Sequence, residues 1–204
     1  MYLQIKKEPL FKVFNILFKI FKNTYTYYFN NIELKIGKIL KEKNLEVATA
    51  ESCTGGLVSS RLTDISGSSN YIRINFVTYA NEAKEKFLGV SYETLIKYGA
   101  VSEKCAIEMA QGVLKNNPQI DIALSITGIL GPSGDTKSKE LGLVYMCVAN
   151  KENFIVKKYN MFNKNPYKNK SEFKNNLIRK YSKIEFSQAA LKLLYDFLLK
   201  YYAK

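Results

Sequence analysis

The chain has 204 residues, 47% of them hydrophobic, which suits one globular domain with a substantial core. It contains no histidine, and its three cysteines (Cys53, Cys105 and Cys147) lie far apart, which argues against a disulfide framework and a transition-metal site and favours the reducing cytoplasm. The net charge is +13, but lysines occur on every predicted face, so we interpret most as solvated surface residues and keep a nucleic-acid or membrane partner as the minor alternative.

Residues 1–31 form a segment of different character. Apolar residues recur there at helical spacing with lysines between them: Phe11, Phe14, Leu17, Phe18 and Phe21. We expect a basic amphipathic helix. Its apolar run is too short to cross a membrane, and no signal-peptide cleavage site is expected after it. Three roles stay open: packing on its own domain or a partner subunit, binding a surface, or a poorly ordered extension.

The segment from Ile32 to Gly89 alternates helices and strands. The predicted elements are a helix over 32–44, a buried strand over 45–50, a helix over 55–66 with a glycine-rich first turn, a strand over 71–80 and a helix over 81–89. Asn81 is the predicted N-cap of the last helix, and Gly89 its end.

The second half begins with a helix over 101–118, capped by Ser102. A strand over 120–127 and a hairpin of strands 141–150 and 153–162 follow, then an exposed polar loop over 163–176 and a helix over 184–202. This order predicts an α/β fold for residues 32–204, a three-layer α/β/α sandwich with a mixed, mainly parallel sheet.

Three segments follow predicted strands: "ESCTGG", "TYANEAK" and "TGILGPSG". Open α/β sheets bind ligands at the carboxyl ends of their strands. If the strands are neighbours, Ser52, Tyr79, Lys84 and Thr127 converge on one edge of the sheet.

The segment "ESCTGG" offers two nucleophiles, Ser52 and Cys53. The backbone N–H groups that open the following helix, those of Cys53, Thr54, Gly55 and Gly56, suit an oxyanion or a phosphate. The simpler alternative is a tight capping turn. Glu51, just before the serine, could bond this turn or hold Lys84.

A serine nucleophile needs a base, and the chain has no imidazole. Lys84 lies five residues after Tyr79, near a helix N-terminus, where burial favours a neutral amine. It could take the Ser52 proton directly or through the Tyr79 hydroxyl. Alternatively, Lys84 is a surface lysine and Tyr79 a core aromatic. Cysteine hydrolases generally pair with histidine, so Cys53 is interpreted as a buried neighbour.

Several motifs in order, "AESCTGG", "ISGSSNYIRINFVTYANEAK", "GAVSE" and "TGILGPSGD…LGLVY", resemble the C-terminal domain of CinA, the competence/damage-inducible family. That domain also occurs alone as the PncC-type nicotinamide mononucleotide deamidase. The resemblance covers residues from Ile32 to the C-terminus. The chain departs from the family in lacking the N-terminal pyrophosphatase-type domain and in a degraded "GDR…R" motif before the last helix.

The resemblance implies hydrolysis of nicotinamide mononucleotide to nicotinate mononucleotide and ammonia, with no metal or cofactor. It places the nucleophile at Ser52, the Tyr/Lys pair at Tyr79 and Lys84, and the oxyanion site at the turn of Thr54, Gly55 and Gly56. Thr127 and Gly128 match a ligand-contacting segment, and Arg179 and Lys183 stand at the positions of the family's two arginines. Family members suggest a homo-oligomer.

Two alternatives to this activity stay open. The domain could be a non-catalytic binding module for competence or DNA-damage partners that uses its basic surface. It could also hydrolyse a different amide.

Overall fold

The computed structural model describes residues 31–162 and 165–203. The chain divides into two units between Asn31 and Ile32, and the second unit forms the α/β domain. The amphipathic helix predicted for residues 1–31 lies outside the described residues, apart from Asn31.

Five strands form one mixed sheet. They are β1 (Val47–Glu51), β2 (Phe76–Val77), β3 (Ile122–Gly128), β4 (Leu143–Ala149) and β5 (Phe154–Asn160), in the spatial order β2-β1-β3-β4-β5. Strand β1 runs parallel to β2 and β3, whereas β4 is antiparallel to both β3 and β5. The carboxyl ends of β1, β2 and β3 therefore lie side by side at one edge of the sheet.

Among the described residues, six α-helices cover both faces of the sheet, which confirms the predicted three layers. Helices α1 (Ile32–Glu42), α2 (Leu57–Thr63) and α6 (Glu172–Tyr201) share a core on one face; α3 (Asn81–Leu88), α4 (Tyr92–Lys97) and α5 (Glu103–Asn116) pack on the other. Alternate residues of β1 serve the two cores: Val47 faces the first, and Ala48 and Ala50 face the second.

Close packing fixes the position of α3 against α5. At Gly112 of α5, an added Cβ would lie 1.7 Å from the carbonyl oxygen of Leu88, so only glycine allows this approach. Helix α3 also begins after a three-residue connection from β2 and ends at Gly89, where φ is 66°. Lys84, the buried lysine of α3, is therefore held by packing on a rigid element.

A buried ion pair fixes α2 in the same way. Arg61 of α2 is fully buried, and its Nε donates to Glu33 Oε1 of α1 at 2.7 Å. Its Nη1 donates to Ser187 Oγ of α6 at 3.0 Å. Breaking a buried charge pair is costly, so this contact anchors the helix that follows the nucleophile turn.

Two caps were predicted correctly and one was not. Ser102 accepts a hydrogen bond from the Cys105 N–H at the start of α5, and Gly89 ends α3. Ala80, however, occupies the N-cap of α3, and Asn81 is its first helical residue.

Most predicted elements differ from the observed ones by one to three residues at an end, two differ by more, and α4 was not predicted. The strand expected over 71–80 is reduced to Phe76–Val77, because the Asn75 side chain enters the ladder: its Oδ1 accepts the Thr49 N–H at 2.9 Å, where a strand would use a main-chain carbonyl. The last helix begins at Glu172 within the predicted polar loop, with Ser171 as its N-cap. Within residues 31–162 and 165–203, no helix has the length and apolar content needed to cross a membrane.

Candidate active site

Ser52 stands directly after β1, at the carboxyl edge of the sheet. Its N–H donates to the Ile126 carbonyl of β3 at 3.0 Å, which continues the β1–β3 ladder by one residue. The chain then turns into α2 through Gly55 and Gly56, whose φ angles are 63° and 92°. Residues that have a side chain rarely adopt this left-handed backbone conformation, so the two glycines permit the tight turn that presents Ser52.

Lys84 contacts this serine from α3, the helix that follows the neighbouring strand β2. Its side chain, on the first turn of α3, is only 1% exposed. Its Nζ lies 3.1 Å from Ser52 Oγ, 2.9 Å from the Thr78 carbonyl oxygen and 3.1 Å from the Tyr79 carbonyl oxygen. The amine therefore has three oxygen neighbours, and two of them can only accept hydrogen bonds.

Burial makes the neutral amine of Lys84 easier to form than that of an exposed lysine. Burial lowers its pKa below the ordinary 10.5, while the Cys105 and Cys53 thiols and Glu82 act weakly in the opposite direction. A neutral amine has two N–H groups and one lone pair. As an ammonium group, Lys84 donates to all three oxygens, Ser52 Oγ included. As a neutral amine, it would keep its two N–H groups on the carbonyls of Thr78 and Tyr79 and turn the lone pair to the Ser52 hydroxyl, which is what a general base requires.

Tyr79 contributes its main chain to this arrangement. Its carbonyl oxygen holds Lys84, whereas its hydroxyl accepts a hydrogen bond from Arg179 Nη2 at 2.7 Å. The side chain is 61% exposed. Of the two proton routes expected from the sequence, the structure forms the direct Ser52–Lys84 contact, and the Tyr79 hydroxyl is turned to Arg179 instead of bridging the pair.

Cys53 is buried beside the serine. Burial raises the pKa of its thiol from 9.0 to about 12, against weaker opposing contributions that include Arg179 and Lys84. A thiol with such a pKa is a poor nucleophile near neutral pH. This agrees with the interpretation of Cys53 as a buried neighbour of the nucleophile.

The Glu51 carboxylate occupies the start of α2. It is fully buried, and four groups of the turn and α2 donate to it: Thr54 Oγ1 and the N–H groups of Gly56, Val58 and Ser59, at 2.6–3.1 Å. Thr49 Oγ1 lies 3.3 Å from the carboxylate and 3.1 Å from Asn75 Oδ1, and these two acceptors share its single proton. Of the two roles left open for Glu51, the structure shows the one that ties the turn together.

These contacts correct the predicted set of oxyanion donors. The Gly56 N–H is bonded to Glu51 at 3.0 Å, and the Gly55 N–H donates to the Ser52 carbonyl at 3.2 Å. Among the described residues, no main-chain carbonyl accepts a hydrogen bond from the N–H groups of Cys53 and Thr54. The donors available at this turn are therefore Cys53 and Thr54, because a carboxylate has already filled the helix N-terminus.

Thr127 and Gly128, at the end of β3, have packing roles. The Thr127 hydroxyl is buried and donates to the Ala100 carbonyl at 2.8 Å. A Cβ at Gly128 would lie 2.4 Å from Val144 Cγ2 and 2.8 Å from the Leu143 carbonyl oxygen. The observed contacts of both residues are therefore with the protein itself, and the ligand contact expected for them stays a prediction.

Arg179 and Lys183, one turn apart on α6, lie at the rim of the site. Arg179 donates from Nη1 to the Gly131 carbonyl oxygen and from Nη2 to the Tyr79 hydroxyl. Lys183 Nζ lies 3.3 Å from where a Cβ of Gly55 would stand. Two positive side chains therefore border the nucleophile turn.

The sequence did not indicate the part played by Thr78, because its contact with Lys84 uses the main-chain carbonyl, which leaves no side-chain signature. Within the described ranges, no group of three or more carboxylate or thiol side chains is placed to hold a metal ion.

Fold and site together define a three-layer α/β domain with a buried serine–lysine pair at the carboxyl edge of its sheet. The chain belongs to the CinA C-terminal domain family, whose model matches residues 29–184.

Curated relatives carry the same family names. The chain is 56% identical over 118 residues to a CinA-like protein of Chloroherpeton thalassium, covering 58% of this chain and 28% of the relative. It is 52% identical over 132 residues to a putative competence-damage inducible protein of Clostridioides difficile, covering 65% of this chain and 31% of that protein. The match thus spans about three tenths of these relatives' length.

Solved structures agree with the fold. The competence/damage inducible protein CihA from Agrobacterium tumefaciens superposes with a TM-score of 0.69 at 34% identity, covering 80% of this chain and 93% of that one. The competence damage-inducible protein A (ComA) from Klebsiella pneumoniae gives a TM-score of 0.73 at 25% identity, covering 84% and 97%.

Proposed function

We propose that this protein is an amidohydrolase that converts nicotinamide mononucleotide to nicotinate mononucleotide and ammonia. The observation that carries the proposal is the contact of 3.1 Å between Lys84 Nζ and Ser52 Oγ, inside a shell of two main-chain carbonyls. That shell leaves the lone pair of a neutral amine facing the serine hydroxyl.

In the first half of the reaction, Lys84 takes the Ser52 proton as the serine oxygen bonds to the carboxamide carbon. The N–H groups of Cys53 and Thr54 are the donors available to the resulting oxyanion. The C–N bond then breaks, and Lys84 returns its proton to the leaving nitrogen, which departs as ammonia. An ester between Ser52 and the acyl group remains.

In the second half, Lys84 takes a proton from water as the water oxygen bonds to the ester carbon. Collapse of this intermediate breaks the bond to Ser52 Oγ, which regains its proton from Lys84, and the carboxylic acid is released. The same amine serves both halves, so the reaction as proposed needs no second base.

The substrate class comes from the family resemblance and is supported by the charges at the rim. A mononucleotide carries a phosphate, and Arg179 and Lys183 supply positive side chains beside the nucleophile turn. Arginine suits such groups because its planar fork donates two parallel hydrogen bonds. The carboxamide would then lie toward the serine and the phosphate toward α6.

Release of ammonia from nicotinamide mononucleotide, measured beside free nicotinamide, tests the proposal. We expect the Ser52→Ala variant to lose the activity and the Ser60→Ala variant, altered at an exposed serine of α2, to keep it. Near-normal ammonia release by Ser52→Ala would refute the serine mechanism. Activity on other carboxamides but not on this one would keep the mechanism and change the substrate.

A further inference from the structure

Glu51 and Ser52 are consecutive residues with opposite surroundings. Ser52 contacts Lys84 of α3, whereas the donors to the Glu51 carboxylate all belong to β1 and to the turn and first residues of α2. Ser52 therefore faces Lys84, and Glu51, the residue before it, binds the turn and helix that follow the nucleophile.

The polar groups around the Glu51 carboxylate come from both sides of the nucleophile turn. Thr49 precedes Ser52 in β1, Thr54 and Gly56 lie within the turn, and Val58 and Ser59 belong to α2. Hydrogen bonds to an ionised acceptor are stronger than neutral ones, and the positive end of a helix adds to them. A single buried carboxylate thus joins the end of β1, the turn and the start of α2.

The turn held by this carboxylate carries the groups that the reaction uses. Ser52 Oγ must stay within reach of Lys84, and the N–H groups of Cys53 and Thr54 must stay directed at the reacting carbon. Displacing reacting groups by about 1 Å can cost about 10²-fold in rate. A change at Glu51 should therefore alter the chemical step without touching the rim residues Arg179 and Lys183.

We propose that Glu51 is a positioning residue whose carboxylate fills the N-terminus of α2 from inside the protein and thereby fixes Ser52 and the N–H groups of Cys53 and Thr54 for attack. The proposal rests on the proposed function only in taking Ser52 as the nucleophile. It also assigns the start of α2 to an internal anion, so a substrate phosphate has to bind elsewhere.

The test compares three variants of the full chain. Glu51→Gln keeps the shape of the side chain but turns an NH₂ group toward hydrogen-bond donors. Thr54→Val removes the hydroxyl that donates to the carboxylate at 2.6 Å and leaves the carboxylate in place. Glu33→Gln is the matched control, because it alters another buried glutamate, the partner of Arg61, and so weakens the anchoring of the same helix away from the turn.

Two measurements separate positioning from folding. The first is the rate at which a fluorophosphonate probe labels Ser52, per folded molecule; this reaction forms a P–O bond, expels fluoride and needs no knowledge of the natural substrate. The second is amide hydrogen exchange at Gly56, Val58 and Ser59, whose N–H groups bind Glu51. Where ammonia release is measurable, kcat and KM are determined as well.

For Glu51→Gln we expect labelling about 10²-fold slower, faster exchange at the three amides, and a loss in kcat with little change in KM. Thr54→Val should show a smaller loss of the same kind, which keeps the proposal testable if Glu51→Gln does not fold. Glu33→Gln should unfold at a lower temperature yet label at the wild-type rate.

The proposal is overturned if Glu51→Gln, or Thr54→Val where only that variant folds, labels at the wild-type rate. It is also overturned if Glu33→Gln slows labelling equally, since Glu51 would then act only through stability. Labelling of Ser52 without ammonia release would reject the proposed substrate and leave this inference standing. A wild-type protein that is not labelled at Ser52 would reject both.

Discussion

Lys84 Nζ lies 3.1 Å from Ser52 Oγ and is also held by the main-chain carbonyls of Thr78 and Tyr79. The two carbonyls accept hydrogen bonds and cannot donate them, so they orient the amine. In the proposed reaction this arrangement lets a chain without histidine deprotonate a serine, and the protonation state of Lys84 then decides the rate.

Replacing Lys84 by arginine should abolish ammonia release, because a guanidinium keeps its charge and cannot accept the serine proton. The matched control is Lys86→Arg, at an exposed position of the same helix, which should retain wild-type activity. Both are compared by steady-state kinetics after circular dichroism confirms folding. An active, folded Lys84→Arg variant would exclude the amine as the base.

The same lysine should make stability depend on pH in a defined direction. Because its folded-state pKa is lowered, the unfolded chain binds the extra proton between that value and the ordinary 10.5. The free energy of unfolding then contains a penalty that is fully present below the folded pKa and disappears as pH rises through 10.5.

Denaturant titrations of the wild type and the Lys84→Met variant over this range measure the effect. Buried tyrosines and cysteines also titrate at high pH, but they are common to both proteins, so the difference reports Lys84 together with its coupling to the Cys53 and Cys105 thiols. We expect the wild type to gain stability relative to Lys84→Met as pH rises. A difference that stays constant with pH would show that Lys84 has an ordinary pKa.

Cys53 should be dispensable for the reaction. Its thiol, with a pKa raised to about 12 by burial, stays protonated near neutral pH. We expect Cys53→Ala to retain ammonia release with at most a modest loss of stability, and iodoacetamide to leave Cys53 of the folded wild type unmodified at neutral pH. Rapid alkylation of Cys53 together with inactivation would instead make Cys53 a candidate nucleophile again.

Arg179 should contribute to substrate binding more than to the chemical step. Losing a hydrogen bond to a charged group typically costs about 1.5–3 kcal/mol, so Arg179→Ala should raise KM for nicotinamide mononucleotide by about 10- to 100-fold with a smaller change in kcat. Lys180→Ala, altered at the next, exposed residue of α6, is the control for lost positive charge. A collapse of kcat at unchanged KM would place Arg179 in the chemical step.

The layered fold was predictable because it depends on local patterns. Apolar alternation indicates the β4–β5 hairpin, and glycine and serine signals set the end of α3 and the start of α5. The shortened β2 was not predictable, because the Asn75 side chain replaces a main-chain partner of Thr49 across the sheet. The start of α6 at Glu172 was not predicted, because the polar composition of residues 163–176 indicated a loop.

The sequence was sufficient to pair Ser52 with Lys84, since the missing histidine leaves few other bases at the ends of neighbouring strands. It could not show that the amine contacts the serine directly, because the orientation of the Tyr79 side chain depends on Arg179, 100 residues away. Nor could it show that Glu51 takes the Gly56 N–H, since competition for helix N–H groups is settled by side-chain conformation. The catalytic roles themselves stay predictions.

The pH dependence of Ser52 labelling by a fluorophosphonate probe tests the central claim most directly, because it reports the nucleophile without reference to the natural substrate. The wild-type rate should rise with pH through a single inflection below the ordinary lysine pKa of 10.5. The Lys84→Met variant should label slowly and without that inflection. Equal rates and the same inflection in both proteins would contradict the assignment of Lys84 as the base.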